Sequence, residues 1–158
     1  MVKLPKEVID LLREPQTIRV LTTTGEDGLP HTVFKGSMTA LDEETLAFIE
    51  LLDPSRTNKN MLRNLWDKKT VVVSLFDPQD NCSYQIKGLP YKYVEEGPIW
   101  EQFLEETWKI MPDVNPAGVW LIRPQSVFNE GYSERLQEVE KEFKPSFSFW
   151  MKYHGKRL

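Results

Sequence analysis

Short runs of β-branched and aliphatic residues, separated by turn residues, occupy most of this chain and predict several short strands. Paired glycines at Gly25 and Gly28 separate the first two runs and predict a hairpin. The predicted strands cover residues 17–24, 31–40, 45–52, 70–76 and 82–94, the fifth being a pair or one long bent strand, and a last strand over 117–129 interrupted by Pro124.

Apolar residues at helical spacing predict four short helices between these runs. Proline bounds two of them, because it suits a first helical turn and ends a helix that reaches it. The predicted helices cover residues 5–14, a segment around 55–66, residues 99–111 and a charged helix over 132–143.

The element order indicates a mainly β protein with flanking helices, in the α+β class. Antiparallel hairpins dominate, and the helices are too few to cover a parallel sheet. We therefore expect a small antiparallel barrel, or a strongly curved sheet with helices at its ends. We divide the chain into a domain over 1–131 and an extension over 132–158, helical and then aromatic and basic. The extension is expected to dock on the barrel or on a partner subunit, because a solvated linker would expose its aromatic residues.

Composition narrows the function classes. The chain has 158 residues and a net charge of -4, which gives no global basic field for nucleic acid. No apolar run approaches the roughly 20 residues that span a bilayer. With Cys82 as the single cysteine and only two histidines, we predict neither an intrachain disulfide nor a recognisable zinc site. A cytoplasmic location without membrane or nucleic-acid partners is the expectation.

The segment from Asp53 to Asn60 carries the most distinctive chemistry. Two cations, two hydroxyls and two carboxamides lie at a strand-to-helix turn. Free backbone N–H groups at a helix start, together with Arg56 and Lys59, would suit a phosphate dianion. An ordinary helix start, with Ser55 or Thr57 as N-cap, explains the same residues and is favoured by the segment alone.

Three patches, in this element order, resemble the FMN-binding split barrel of the pyridoxamine-phosphate-oxidase-like proteins. The first is the turn over residues 25–31, the second is Ser55-Arg56-Thr57 with Asn60-Met61, and the third is the strand segment over 84–88. The resemblance covers about residues 5–131 and implies an antiparallel split barrel with FMN as cofactor.

The resemblance also implies positions for the flavin. Its phosphate would lie at the 55–60 turn, and its ring would lie along the second and third strands. The implied cofactor-binding residues are Phe34, Lys35, Gly36, Ser37, Ile49, Glu50, Leu51, Arg56, Thr57, Lys59 and Asn60. Because the family places its flavin between subunits, a homodimer is expected, and Tyr84, Gln85 or Trp120 could reach the partner's cofactor. For Trp120, plain barrel core is the favoured interpretation.

Lys35 is the one charged residue in its predicted strand. It could be a cation beside the reduced flavin, a phosphate ligand or a solvent-facing lysine, and the sequence favours none of these. His31 stands where true pyridoxamine-phosphate oxidases have an arginine, and their arginine-rich C-terminal segment is not evident. Vitamin B6 phosphate is therefore not the expected substrate.

Three functions remain in competition. The first is an FMN-dependent oxidoreductase that acts on an unidentified small molecule, and the second is a non-catalytic flavoprotein, either an electron carrier or a cofactor-binding regulator. The third is a cofactor-free β-barrel that binds single-stranded nucleic acid, which the acidic charge balance disfavours. No catalytic residue is predicted, because neither a clear proton donor nor a dinucleotide fingerprint is present.

Overall fold

A computed structural model describes residues 2–142. Within that range the chain forms eleven helices and strands, which agree with most of the predicted elements. Their bounds are α1 Lys6–Arg13, β1 Ile18–Thr24, β2 Pro30–Phe34, β3 Thr39–Asp42, β4 Thr45–Glu50, α2 Arg56–Trp66, β5 Val71–Asp77, β6 Cys82–Val94, α3 Pro98–Ile110, β7 Gly118–Asn129 and α4 Tyr132–Glu142.

The strands form one sheet of seven, in the order β2-β1-β5-β6-β7-β4-β3, and every neighbouring pair is antiparallel. This confirms the predicted mainly antiparallel architecture with flanking helices. The sheet is not a closed barrel, because β2 and β3 form its two edges and do not pair.

The sheet must curl strongly, because its two edge strands are consecutive in the chain. Only residues 35–38, which we call the connector, separate the end of β2 from the start of β3. A connection this short spans at most about 18 Å. A flat sheet of seven strands would hold its edges roughly 29 Å apart. The connector therefore bends the sheet into a barrel with one split.

The prediction of a single strand over 31–40 is wrong. The backbone turns at the connector, where the Met38 N–H donates to the Lys35 carbonyl at 3.0 Å. A strand pattern continues on both sides of this turn, so periodicity alone could not show that two strands on opposite edges were involved.

The predicted interruption of the last strand at Pro124 is also absent. Pro124 lies opposite Gly88, next to a register shift at which Gln125 is an extra residue, and β7 continues through it. A Cβ atom on Gly88 would lie 2.9 Å from the Arg123 carbonyl oxygen, so glycine permits the close approach of the two strands. Residues 82–94 form one long bent strand, which was one of the two predicted alternatives.

Two apolar clusters hold the fold together. The larger one fills the barrel interior, and its largest fully buried side chains include Trp120, Phe48 and Met61. The smaller one packs α3 onto the outer face of β4 and β7 through Phe103, Ile49 and other residues. This second cluster places α3 close to the connector.

The C-terminal helix α4 contributes to neither cluster. It contains no buried residue, and Leu136 and Val139 on its apolar side are both exposed. Docking of the extension, on the barrel or on a partner subunit, therefore stays a prediction. Phe143 and the aromatic and basic part of the predicted extension lie outside the described residues. Within residues 2–142, no helix is long and apolar enough to cross a membrane.

Gly118 provides a test of the packing inside the barrel. A Cβ atom there would lie 2.6 Å from the Tyr93 hydroxyl oxygen, and the Tyr93 ring is itself stacked on Trp120 with centroids 4.7 Å apart. We expect Gly118→Ala to lower the free energy of unfolding by about 1–3 kcal/mol, because the tyrosine must shift within a packed core. Denaturant unfolding measures the change.

Gly36→Ala is the matched control, because a Cβ atom at Gly36 meets nothing within 4 Å. It should change the free energy of unfolding by less than about 0.5 kcal/mol. Equal losses in the two variants would show that the Gly118–Tyr93 contact does not limit the packing.

Candidate functional site

The start of α2 is a capped helix terminus that is tied to the barrel core. The Ser55 side chain accepts a hydrogen bond from the Asn58 N–H at 2.9 Å, so Ser55 rather than Thr57 is the N-cap. The Asn58 amide donates to the Asp53 carbonyl at 2.9 Å and accepts from the Trp120 indole N–H at 2.8 Å. These bonds fix the turn before α2 against a side chain that is 1% exposed.

The next residues of α2 hold the β1–β2 hairpin. Thr57 is buried, and its hydroxyl lies 3.3 Å from His31 Nε2. The buried Asn60 amide donates to the Thr23 hydroxyl at 3.0 Å. The first turn of α2 and the hairpin therefore form one rigid wall.

The β1–β2 turn and the start of α2 border a cavity of about 560 Å³. Arg56 is exposed and forms no ion pair with any residue in the described range. The nearby Glu26 is 3.3 Å from Arg63, and Asp27 accepts from the Leu29 N–H at 3.0 Å. An unpaired guanidinium beside a helix N-terminus suits an anion. The lining residues are Gly25, Glu26, Asp27, Leu29, Pro30, His31, Arg56 and Asn60.

His31 was not among the predicted cofactor-binding residues, yet it lines this cavity. The structure has it half-buried against Thr57. This burial depends on the contact between the hairpin and α2, which the local sequence pattern does not show.

A buried ion pair joins the connector to the end of β4. Lys35 Nζ is 2.9 Å from Glu50 Oε2, and the two side chains are 14% and 4% exposed. The ammonium also lies 4.9 Å from the centre of the Phe48 ring, and Glu50 Oε1 accepts from the Leu52 N–H at 3.2 Å. Lys35 is therefore not a solvent-facing lysine.

Arg19 fixes the connector that carries Lys35. Its guanidinium donates to the carbonyls of Leu12, Glu14 and Gly36 at 2.8–3.3 Å. Its own carbonyl accepts from the Lys35 N–H at 2.9 Å. Burial lowers the pKa of Arg19, yet arginine stays charged in proteins. The side chain thus joins the C-terminal end of α1 to the connector.

The connector borders a second and larger cavity, of about 850 Å³, between β3, β4 and α3. Ser37 joins this region to β4, because its hydroxyl lies 3.3 Å from the Ile49 nitrogen and 3.4 Å from the Ile49 oxygen. The predicted flavin-site residues that line the larger cavity are Phe34, Lys35, Gly36, Ser37, Ile49 and Leu51.

The predicted site residues therefore fall into two groups. Arg56 and Asn60 line the smaller cavity, and Thr57 borders it through His31. Glu50 lines neither cavity, and its carboxylate pairs with Lys35 beside the Phe48 ring. Lys59 is exposed on α2 and lines neither cavity.

The three residues expected to reach a partner's cofactor do not lie together. Trp120 is a core residue, as its favoured interpretation held. Tyr84 and Gln85 are half-buried and line a third cavity of about 400 Å³, which also contacts Tyr132 and Arg135. In the described range, no group of three histidine, cysteine, aspartate or glutamate side chains could hold a metal ion.

Tyr93 and Cys82 are held in their protonated forms. Burial, followed by the charges of Glu95, Asp53 and Glu50, raises the pKa of Tyr93 to about 12. Burial also raises the pKa of Cys82, with Asp77 and Asp80 adding to it. A thiol with a raised pKa is a poor nucleophile, which agrees with a packing role for Cys82.

Several solved structures share this fold at low sequence identity. HupZ of Group A Streptococcus matches at a TM-score of 0.67 and 21% identity, over 82% of this chain and 95% of that one. An FMN-binding protein from Syntrophomonas wolfei matches at 0.64 and 8%, over 79% and 87%. A proposed pyridoxamine 5′-phosphate oxidase from Lactobacillus delbrueckii matches at 0.59 and 22%, over 80% and 93%.

Proteins with other ligands have the same fold. They include an F420 reductase, at a TM-score of 0.61, and HutZ, the heme storage protein from Vibrio cholerae, at 0.57. No family model and no curated protein matches the sequence. The chain thus has the FMN-binding split-barrel fold of the pyridoxamine-phosphate-oxidase-like proteins, as its sequence resemblance implied.

The raised pKa of Tyr93 predicts a pH dependence of stability. An exposed tyrosine in the unfolded chain ionises near pH 10, whereas folded Tyr93 ionises at about 12. The contribution of Tyr93 is therefore complete below pH 10 and is lost as the pH rises to 12. We expect the free energy of unfolding to fall less steeply over this range in Tyr93→Phe than in the wild type. A constant difference between the two proteins from pH 9 to 11.5 would contradict this.

Proposed function

We propose that this chain is an FMN-binding flavoprotein that carries out oxidoreductase chemistry on a small molecule. The observation that carries the proposal is the Arg56 guanidinium, which has no ion-pair partner among residues 2–142 and lines a cavity at the capped start of α2. The fold supports the proposal, because similar structures include an FMN-binding protein.

The smaller cavity suits the FMN phosphate. Free backbone N–H groups at the start of α2 add to the charge of Arg56, and the two together favour a dianion. Thr57 and Asn60 complete this proposed phosphate site, and Lys59 would contribute only long-range charge, since its side chain is exposed one turn along the helix.

The proposed ring position follows the connector and the end of β4. An isoalloxazine is flat and mostly apolar, and it needs a few hydrogen bonds at its pyrimidine edge. The connector backbone and the Lys35–Glu50 pair offer donors and acceptors beside apolar side chains such as Phe34 and Ile49. When bound there, FMN would supply the electron-transfer chemistry, and the protein would supply binding and orientation.

The alternative is a non-catalytic flavoprotein, either an electron carrier or a cofactor-binding regulator. The larger cavity, of about 850 Å³, does not separate the two, because the residues assigned to the flavin ring line it. The cytoplasm remains the expected compartment, since the single cysteine offers no intrachain disulfide.

We also propose a homodimer formed through the outer face of the sheet. Phe34, Val20, Ser74, Gln85 and Phe128 form one row across five strands there. Neighbouring exposed apolar residues on that face include Ile18 and Phe76. In this proposal residues 1–131 form the flavin-binding domain, and residues 132–158 dock on the partner.

Arg56→Ala tests the phosphate site. The variant should bind FMN about tenfold to a hundredfold more weakly, because a charge-assisted hydrogen bond is typically worth about 1.5–3 kcal/mol. Riboflavin, which lacks the phosphate, should bind almost as it does to the wild type. Flavin fluorescence and absorbance measure both affinities, and anaerobic addition of NADH or NADPH then tests for turnover.

Lys59→Ala is the matched control, since it removes the same charge from the first turn of α2 at a residue that lines neither cavity. Its affinity for FMN should stay within about threefold of the wild type. Equal losses of FMN and riboflavin affinity in Arg56→Ala would mean that Arg56 does not hold the phosphate.

Phe76→Glu tests the dimer. Phe76 is 38% exposed on the outer face, and a carboxylate there would lose its hydration in the proposed apolar interface. We expect light scattering to give a monomer mass for this variant and a dimer mass for the wild type at micromolar concentration. Trp66→Glu, which changes an exposed aromatic residue on α2, should remain dimeric. A monomeric wild-type protein with FMN bound would refute the dimer.

A further inference from the structure

One side of α3 carries apolar and acidic residues that the sheet does not bury. Glu101, Leu104, Glu105 and Trp108 share this side at helical spacing, and we call them the outer stripe. Trp108 is 46% exposed, Leu104 is half-buried, and both glutamates are exposed. The Trp108 indole has a fixed position, because its N–H donates to the Val114 carbonyl at 2.9 Å. Apolar residues at this spacing are typical of a helix side that packs on another element.

The outer stripe is separate from the proposed flavin site. None of its residues lines either cavity of that site, whereas Gln102, Glu106 and Ile110 line the larger cavity from another side of α3. A segment bound along the stripe therefore contacts a side of α3 that the flavin does not use.

The surroundings of the outer stripe are acidic. Residues 95–106 contain five glutamates, all exposed, and no lysine or arginine. Lys109 is the only cation on α3. Glu101 and Glu105 form no ion pair with any residue in the described range. The stripe thus favours a segment that carries both cations and apolar side chains.

The end of this same chain has that composition. Residues 143–158, which we call the tail, contain four lysine or arginine residues, no acidic side chain and five phenylalanine, tryptophan or tyrosine residues. Aromatic side chains left in water would expose a large apolar area. A segment of this length can span about 50 Å when extended, which is enough to reach a neighbouring subunit.

Charge also distinguishes the outer stripe from the other exposed tryptophan on a helix. Trp66 on α2 is 78% exposed and so offers more apolar area than Trp108. Lys59 and Arg63 share its side of the helix, however, at helical spacing. These cations would repel the tail, so α2 is a poor docking surface for it.

The exposure of α4 favours the partner subunit as the docking surface. This helix of 11 residues leads directly into the tail and contains no buried residue. A helix that short is only marginally stable in water without packing. Because α4 buries nothing against its own barrel, we expect it to carry the tail towards a second copy of the chain.

We propose that the tail of one subunit docks on the outer stripe of α3 in the partner subunit. The cations of the tail pair with Glu101 and Glu105, and its aromatic side chains cover Leu104. A lysine or arginine over the Trp108 indole adds a cation–π contact. The inference rests on the homodimer of the proposed function, and it does not depend on the flavin.

Disulfide trapping tests the docking and the source of the tail. In a Cys82→Ser background, Lys109→Cys places a thiol beside Trp108, and Met151→Cys places one in the tail. Because a disulfide needs close approach, oxidation of this double variant should yield at least about tenfold more covalent dimer than either single variant. Lys59→Cys with Met151→Cys is the matched control on α2, and it should give no such excess. A yield equal to this control, or a disulfide within one subunit, would overturn the proposal.

Tryptic cleavage after Lys152 measures docking in the otherwise native chain, and mass spectrometry follows the product. Trp108→Ala should speed this cleavage at least about threefold, because the tail loses a large apolar contact. Trp66→Ala removes the same side chain from α2 and should leave the rate within about twofold of the wild type. Equal rates in the two variants would show that the tail does not dock on the stripe.

The acidic part of the stripe is tested by the same cleavage, which also covers a Trp108→Ala variant that fails to fold. Glu101→Gln/Glu105→Gln should raise the rate about threefold at low salt, and the difference should shrink at high salt because exposed charges are screened. Glu7→Gln/Glu14→Gln removes the same charge from exposed positions at α1 and should leave the rate unchanged. An unchanged rate in Glu101→Gln/Glu105→Gln at low salt would refute the charge pairing.

Failure of the docking and failure of the proposed function give different results. A dimeric protein that binds FMN but yields no trapped disulfide would refute the docking alone. A dimeric protein that yields the disulfide but never binds FMN would support the docking and refute the flavin site. A monomeric wild-type protein would refute both the dimer and the docking on a partner.

Discussion

The fold depends on the short connector between β2 and β3. Four residues carry the chain from one edge of a seven-stranded sheet to the other, so the sheet has to curl until its edges nearly meet. Both cavities follow from this constraint. The smaller one lies where the β1–β2 hairpin packs against α2, and the larger one lies where the connector passes beside β4 and α3.

The connector is held by charged side chains that rarely occur in a core. Arg19 binds it to α1 through backbone carbonyls, and Lys35 binds it to β4 through Glu50. A buried ion pair contributes little net stability compared with well-packed apolar residues, because both charges lose their hydration. Its location at the split agrees better with a role in positioning the connector.

Local pattern predicted most of the elements, because each strand and helix carries its own periodicity. The antiparallel sheet and α2 with its capped start followed from such signals, and the long bent β6 was one of two predicted alternatives. The split of residues 31–40 into two strands did not, since its cause is a turn between segments with the same pattern. The sequence pattern could not predict the Lys35–Glu50 pair either, because the pair depends on which face of each strand points inward.

The crystal structure of the protein grown with FMN tests the central claim most directly. The account predicts electron density for the phosphate within hydrogen-bond distance of Arg56 and Thr57, and for the isoalloxazine ring along residues 35–38. A phosphate bound elsewhere, or a ring with no contact to the connector, would contradict it.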